Sequence, residues 1–193
     1  MHALVGDFER DLGALPGGER RLIAFLGSTI GNLHPERRRR FLATAAGAVA
    51  PDDAFLVGLD LVKDAERLEA AYNDTRGVTE AFVRNALDAV NGELAANFEQ
   101  RRFEYQARWD PDHEWMDIGL RATQAHAVSI VRLGLEVGIG EGEWLRAEIS
   151  SKFRRQQFEL EAARAGLRTE SWWTDPAGEF AVALLGAEAS AGG

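Results

Sequence analysis

Two apolar runs, RLIAFLG at residues 21–27 and AFLVGLDLV at residues 54–62, flank a segment of helical periodicity, and this order constrains the fold more than any other feature. Pro16-Gly17-Gly18 and Gly27 bound the first run, and short apolar runs between such breakers read as buried strands of a parallel sheet. Between the runs, Pro35 stands at a first helical position, and Phe41, Leu42, Ala45, Ala46 and Val49 recur at helical spacing until Pro51-Asp52-Asp53. Parallel strands need a crossover of about a dozen residues or more, so residues 21–62 are expected to form a right-handed strand, helix, strand unit. The fold class is α/β.

After Lys63 the texture changes. Residues 66–72 and 78–94 read as amphipathic helices split by the turn-prone NDTRG at 73–77. Residues 98–107, 115–122, 129–137 and 143–152 read as strands, with Gly138 to Gly142 as a hairpin connection. A helix over 156–165 ends at Gly166, and 180–185 is a closing apolar strand. The expected plan is a parallel-sheet domain over 1–62 and 152–187, an α+β insertion over 63–151, and a flexible tail at 188–193.

With 193 residues, 46% of them hydrophobic and 27% charged, the chain has the material for a sizeable core. Its formal net charge of -9 argues against a nucleic-acid partner, because such binding draws its affinity from clustered cations. A small or zwitterionic ligand suits it better. The Arg37 to Arg40 run is expected to be a solvated or salt-bridged helix face. No cysteine is present, which excludes disulfides and thiolate chemistry and suits a reducing compartment. No apolar stretch has the length of a membrane span, and the first residues lack the order of a signal peptide, so a cytoplasmic location is expected. The histidines at 2, 34, 113 and 126 have no pairwise ligand spacing, and no metal site is expected.

In an open parallel sheet, ligands lie beyond the carboxyl ends of the strands, and GSTIGN at 27–32 occupies such an end. Small residues let a ligand approach the backbone, and the Asn32 amide offers both a donor and an acceptor to a zwitterion. The alternative is that Asn32 caps the following helix. In RAEIS at 146–150, a period of 2 puts Glu148 and Ser150 on one strand face, where carboxylate and hydroxyl together suit a small nitrogenous ligand; a solvated face is the plainer reading. Tyr72 could bind a carboxylate or merely pack at its helix end. Asp7 and Phe8 could flank a purine, or cap and staple the next helix. Gly138 to Gly142 lacks the full dinucleotide-binding spacing and reads as a turn.

The segments FLGSTIGNLHPERRRRFL, GLDLVKD, AYNDTRGVTEAF, EISSKF and WWTDPAGEFAVALL, in this order, resemble the L-histidine Nα-methyltransferases of ergothioneine biosynthesis, which use S-adenosylmethionine. The resemblance implies a partial Rossmann-like methyltransferase sheet with an inserted α+β substrate-binding domain. It also implies that Asn32 and Tyr72 hold the amino-acid end of histidine, that the backbone at Gly27 lies near the α-amine, and that Glu148 and Ser150 bind the imidazole. Ile118 stands where many relatives have a methionine near the substrate. Asp7 and Phe8 match the segment that meets the adenine of S-adenosylmethionine.

The implied reaction is in-line attack of the neutral α-amine on the sulfonium methyl group, repeated until trimethylhistidine forms, with no catalytic residue assigned. Its partners would be L-histidine and its methylated forms. Family members carry a further amino-terminal stretch with the glycine-rich cofactor loop, for which this sequence has no counterpart. The expectation is therefore a carboxyl-terminal part that works with a separate amino-terminal methyltransferase half. The alternative is a stand-alone, non-catalytic binding or interaction module.

Overall fold

The computed structural model describes residues 3–188, so the expected tail beyond Glu188 and the histidine at position 2 lie outside the described residues. In chain order its regular elements are β1 (Leu22–Phe25), α1 (Pro35–Ala48), β2 (Ala54–Asp60), α2 (Ala65–Tyr72), α3 (Val78–Leu94), β3 (Phe103–Asp110), β4 (Trp115–Ala122), β5 (His126–Ile130), β6 (Leu135–Ile139), β7 (Trp144–Ser151), α4 (Arg155–Arg164), β8 (Leu167–Thr174) and β9 (Phe180–Ala187). They fall into two compact units, Met1–Val62 with Ser151–Gly193, and Lys63–Ser150. None of the described helices is long and apolar enough to cross a membrane.

The first unit is built on a four-stranded sheet of order β1-β2-β9-β8. β1 and β2 pair in parallel, as the crossover length requires, whereas β9 runs antiparallel to both β2 and β8. The sheet of the expected parallel-sheet domain is thus a mixed one, with β1 and β2 as its parallel pair. The reason is local: Asp175 accepts from the backbone N–H groups of Glu179 (2.7 Å) and Phe180 (2.9 Å), closing a tight turn that folds β9 back along β8. β1 is also less buried than its apolar run suggests. Among the described residues it is an edge strand, and Leu22 and Leu26 are 62% and 54% exposed.

Helix α1 begins at Pro35 and turns Arg38, Phe41, Leu42 and Ala45 inward. Phe41, Phe55 and Phe158, each at most 1% exposed, join Leu42, Leu59, Leu167 and Leu185 in one core that α1 and α4 share with the sheet. Packing at this density makes Phe158→Ala expensive, on the order of 3–5 kcal/mol.

In the second unit, β3, β4 and β7 form a sheet in that order, and β5 and β6 form a separate two-stranded ribbon. The single strand expected over 129–137 is two strands: a 3-10 turn at Val131–Leu133 and Gly134 (φ 61°) fold β6 back onto β5. The Gly138 to Gly142 segment is accordingly no hairpin. Its first residues finish β6, and the remainder leads into β7, which belongs to the other sheet. Helices α2 and α3 bury Leu68, Val83 and Leu87 against Phe103, Met116, Ile118 and Leu120. Asp64 caps α2 through the Arg67 N–H, and Asp74 accepts from Thr79 and Val78 at the start of α3, which lowers its pKa.

Arg21 and Asp53 lock the entry to β1 against the entry to β2. The Arg21 guanidinium forks onto Asp53 Oδ2 (2.9 and 2.6 Å), while the carboxylate also accepts from the backbone N–H groups of Arg21 (2.7 Å) and Ala50 (2.9 Å). The Arg21 hydrogen bond, aided by the backbone donors, holds the Asp53 carboxyl below the usual range at about 2. A carboxylate whose folded pKa is depressed contributes stability that is complete above the unfolded value near 4 and is lost as pH falls from there toward 2. Asp53→Asn is therefore expected to be less stable than the parent at pH 7, with the gap narrowing between about pH 4 and 2 in urea-midpoint measurements.

Candidate functional site

In the first unit the strand end FLGSTIGN leaves β1 through two consecutive left-handed residues, Gly27 (φ 82°) and Ser28 (φ 57°), then makes a 3-10 turn over Thr29–Asn32. Ser28 has a β-carbon, so the left-handed conformation is unfavourable for it. It is held by a hydrogen bond to its Oγ from the Asp60 N–H at the end of β2 (2.9 Å). Gly31 packs so closely that an added β-carbon would lie 2.7 Å from the Ser151 carbonyl oxygen. Asn32 is exposed and does not cap α1: the N-cap position is His34, with no side-chain cap bond. That removes the capping alternative for Asn32.

Asp7 and Phe8 lie in the same unit. Phe8 packs on Phe25 (centroids 5.1 Å) and edge-on to Phe41 (5.8 Å), yet stays 39% exposed. Asp7 accepts from the Glu9 N–H (2.9 Å) and opens a short turn rather than a regular helix. Leu4, Val5, Asp7, Phe8 and Leu12 line a cleft of about 270 Å³.

In the second unit the structure brings Tyr72 and Ser150 together, the phenol donating to Ser150 Oγ at 2.8 Å. Ser150 is 6% exposed. Tyr72 is itself fixed from β3: Tyr105 donates its hydroxyl to the Tyr72 carbonyl (2.8 Å), and Asn73 Nδ2 donates to the Ala107 carbonyl (3.0 Å). Burial, with the nearby Asp74, Glu80 and Glu148 charges, pushes the Tyr105 phenol up to about 12, so it remains a donor at neutral pH.

Glu148 precedes Ser150 by two residues on β7 and lines a cleft of about 420 Å³ with Phe82, Val83, Asn85 and Ala86 of α3. The register of that strand face is set one step earlier. Arg146 forks onto Asp117 of β4 (2.8 Å twice), and Trp144 Nε1 adds a bond to the same carboxylate (3.1 Å). Burial alone would raise the Asp117 pKa; the Arg146 and Trp144 bonds outweigh it and hold the group below its ordinary value. Ile118, the next residue on β4, is 1% exposed and belongs to the core.

Several residues that shape these sites are not evident from spacing. Phe82 is 70% exposed and sits on the outer side of α3, beside the inward Val83, where a helical face pattern does not single it out. Tyr105 acts through a main-chain carbonyl and leaves no motif. Asp60, Lys152 and Arg38 lie in the quoted segments GLDLVKD, EISSKF and PERRRRFL, but only the fold brings them to the strand end. Arg38 is 5% exposed and bound to Glu161 (2.8 and 3.0 Å), so one member of the run expected to be solvated or salt-bridged is salt-bridged and buried.

The model of the family described as histidine-specific, S-adenosylmethionine-dependent methyltransferases matches residues 1–187, and the chain belongs to that family. It is 50% identical over 184 residues to histidine N-alpha-methyltransferase from Mycolicibacterium smegmatis and 47% identical to the same-named protein of Mycobacterium tuberculosis. Both matches cover 95% of this chain, which spans 57% of the length of each relative. Ergothioneine biosynthesis protein 1 of Neurospora crassa is 28% identical over 177 residues, 90% of this chain and 20% of that protein.

The tight seat of Gly31 yields a test of the strand-end geometry. Its neighbour is a backbone carbonyl, which cannot swing aside as a side chain would. Gly31→Ala is expected to displace the 27–33 run and destabilise the protein by roughly 1–3 kcal/mol, read as a lowered thermal midpoint.

Proposed function

We propose that the chain is the carboxyl-terminal, histidine-binding part of an S-adenosylmethionine-dependent histidine Nα-methyltransferase that makes trimethylhistidine for ergothioneine biosynthesis in the cytoplasm. An amino-terminal part would supply the remaining cofactor contacts. The observation that carries this reading is the Tyr72 to Ser150 hydrogen bond beside Glu148 on β7, within a chain of the histidine-specific family. An imidazole presents one N–H donor and one acceptor nitrogen, and a carboxylate next to a hydroxyl on one strand face matches that pair.

In this reading Glu148 accepts the imidazole N–H, and Ser150, oriented by Tyr72, meets the second ring nitrogen. Ile118 backs the pocket from within the core. The family resemblance assigns the amino-acid end to Asn32 and the Gly27 backbone in the first unit and to Tyr72 in the second, each as a residue-by-residue proposal. Asp7 and Phe8 would hold the adenine end of S-adenosylmethionine, and they fit it: Phe8 keeps an exposed aromatic surface beside a largely apolar cleft with an acid at its side.

The methyl donor, when bound, supplies an electrophilic methyl group on an already good leaving group. What the chain's residues have to do is hold a neutral amine in line and keep water away, tasks of positioning and desolvation. No side chain is assigned as base, and the amine's proton goes to solvent.

Replacing Glu148 by Ala removes a charge-assisted hydrogen bond worth about 1.5–3 kcal/mol, so histidine affinity in the complete protein is expected to fall at least about tenfold. S-adenosylmethionine affinity should be unchanged. Calorimetric titration with each ligand, followed by mass spectrometry for methylated histidine, reads both. Equal histidine binding by parent and variant would remove Glu148 from the site, and no methylated product from the complete protein would reject the function.

A further inference from the structure

Two cations of the first unit are buried, Arg38 (5% exposed) and Lys152 (3%), and both converge on residues 151–153. Arg38 Nη1 donates to Ser151 Oγ (3.1 Å), and its guanidinium lies 5.2 Å from the Phe153 ring centroid. Lys152 Nζ is 2.8 Å from Asp60 Oδ2. Each cation thus ties the segment to an acid on a different element, Glu161 on α4 for Arg38 and Asp60 at the end of β2 for Lys152. Backbone bonds complete the join: the Phe153 N–H donates to the Asp60 carbonyl (2.8 Å), and the Val62 N–H to the Phe153 carbonyl (3.2 Å).

The strand-end run rests on this junction at three points. Ser28 Oγ takes the Asp60 N–H, Gly31 sits against the Ser151 carbonyl, and the Leu33 carbonyl, one residue after Asn32, accepts from Arg38 Nη1 (3.4 Å). Apolar side chains of similar volume would fill the same space at equal or better stability, since a buried ion pair scarcely repays its desolvation. What the charges add is direction, because each bond specifies an angle as well as a distance.

We propose that the Asp60–Lys152 ion pair, seconded by Arg38, is a positioning clamp that holds residues 27–33 in the backbone geometry presenting Gly27 and Asn32 to the amino-acid end of the substrate. The inference rests on the histidine-binding reading above. Asp60 and Lys152 are positioning residues, since neither is assigned a contact with substrate.

The test neutralises both members of the pair together, using Asp60→Asn with Lys152→Met in the complete protein, alongside Lys152→Arg. Hydrogen exchange read by mass spectrometry should show amides 28–33 exchanging about tenfold faster in the neutral double variant, with β8 and β9 unchanged. In the same protein the histidine Kd should rise at least about fivefold while the S-adenosylmethionine Kd stays within about twofold, and Lys152→Arg, which keeps the charge pair, should leave both readouts near the parent's values. A purely structural role would instead speed exchange throughout the first unit and weaken both ligands together. Unchanged exchange at 28–33 overturns the clamp. Faster exchange with unchanged histidine affinity, in a protein where Glu148→Ala still loses histidine, overturns its link to the substrate and leaves the functional reading intact. If the parent protein binds no histidine, that reading falls, and the exchange result alone decides whether the clamp exists.

Discussion

The Asp60–Lys152 pair is the interaction on which the first unit's geometry turns. It lies where β2 ends and where the chain enters its last portion, and with the backbone bonds between Phe153 and both Asp60 and Val62 it anchors the closing helix and hairpin to the strand, helix, strand unit. From that anchor α4 runs back over the sheet with Phe158 and Ala162 inward, and β9 takes its place beside β2. Arg38 reinforces the same junction from α1. Buried charges are poor contributors to net stability but strict about geometry, and here they adjoin the strand-end run, where Gly31 sits against the Ser151 carbonyl.

A comparable logic operates in the second unit with neutral groups. Tyr105 on β3 fixes the end of α2 through a carbonyl, Tyr72 passes that order to Ser150 on β7, and the Asp117 to Arg146 fork sets the strand's register. Ser150 is therefore oriented by Tyr72, and Tyr72 in turn by Tyr105, which is assigned no contact with substrate. Such second contacts are what hold a binding group within the small tolerance that recognition demands.

Legibility in the sequence followed the range of the forces involved. The helices α1 to α4 stand within a residue or so of their expected ranges, because Pro35, Gly166 and a helical apolar period act over a few residues. β8 carries no strand signature in the sequence: it buries Leu167 but is largely polar, and a bulge between Thr169 and Ser171 breaks the alternation that would mark it. The turn that splits 129–137 was hidden because Gly134 is a lone glycine in an otherwise β-like run. Asn32 looked like a helix cap by residue type, yet the N-cap role fell to His34, since Pro35 already fixes where α1 begins.

By itself the sequence determined the α/β class, the parallel β1–β2 unit, the change of texture after Lys63 and, through its ordered motifs, membership of the histidine-specific methyltransferase family. These rest on local periodicity and on words of several residues, which survive without coordinates. Only the tertiary structure decided that the sheet is mixed, that β1 is an edge strand among the described residues, that Tyr72 meets Ser150, and that Arg38 and Lys152 are buried partners of Glu161 and Asp60. Each of those depends on groups far apart in the chain, and no local propensity specifies which distant carboxylate a lysine will find when it leaves water.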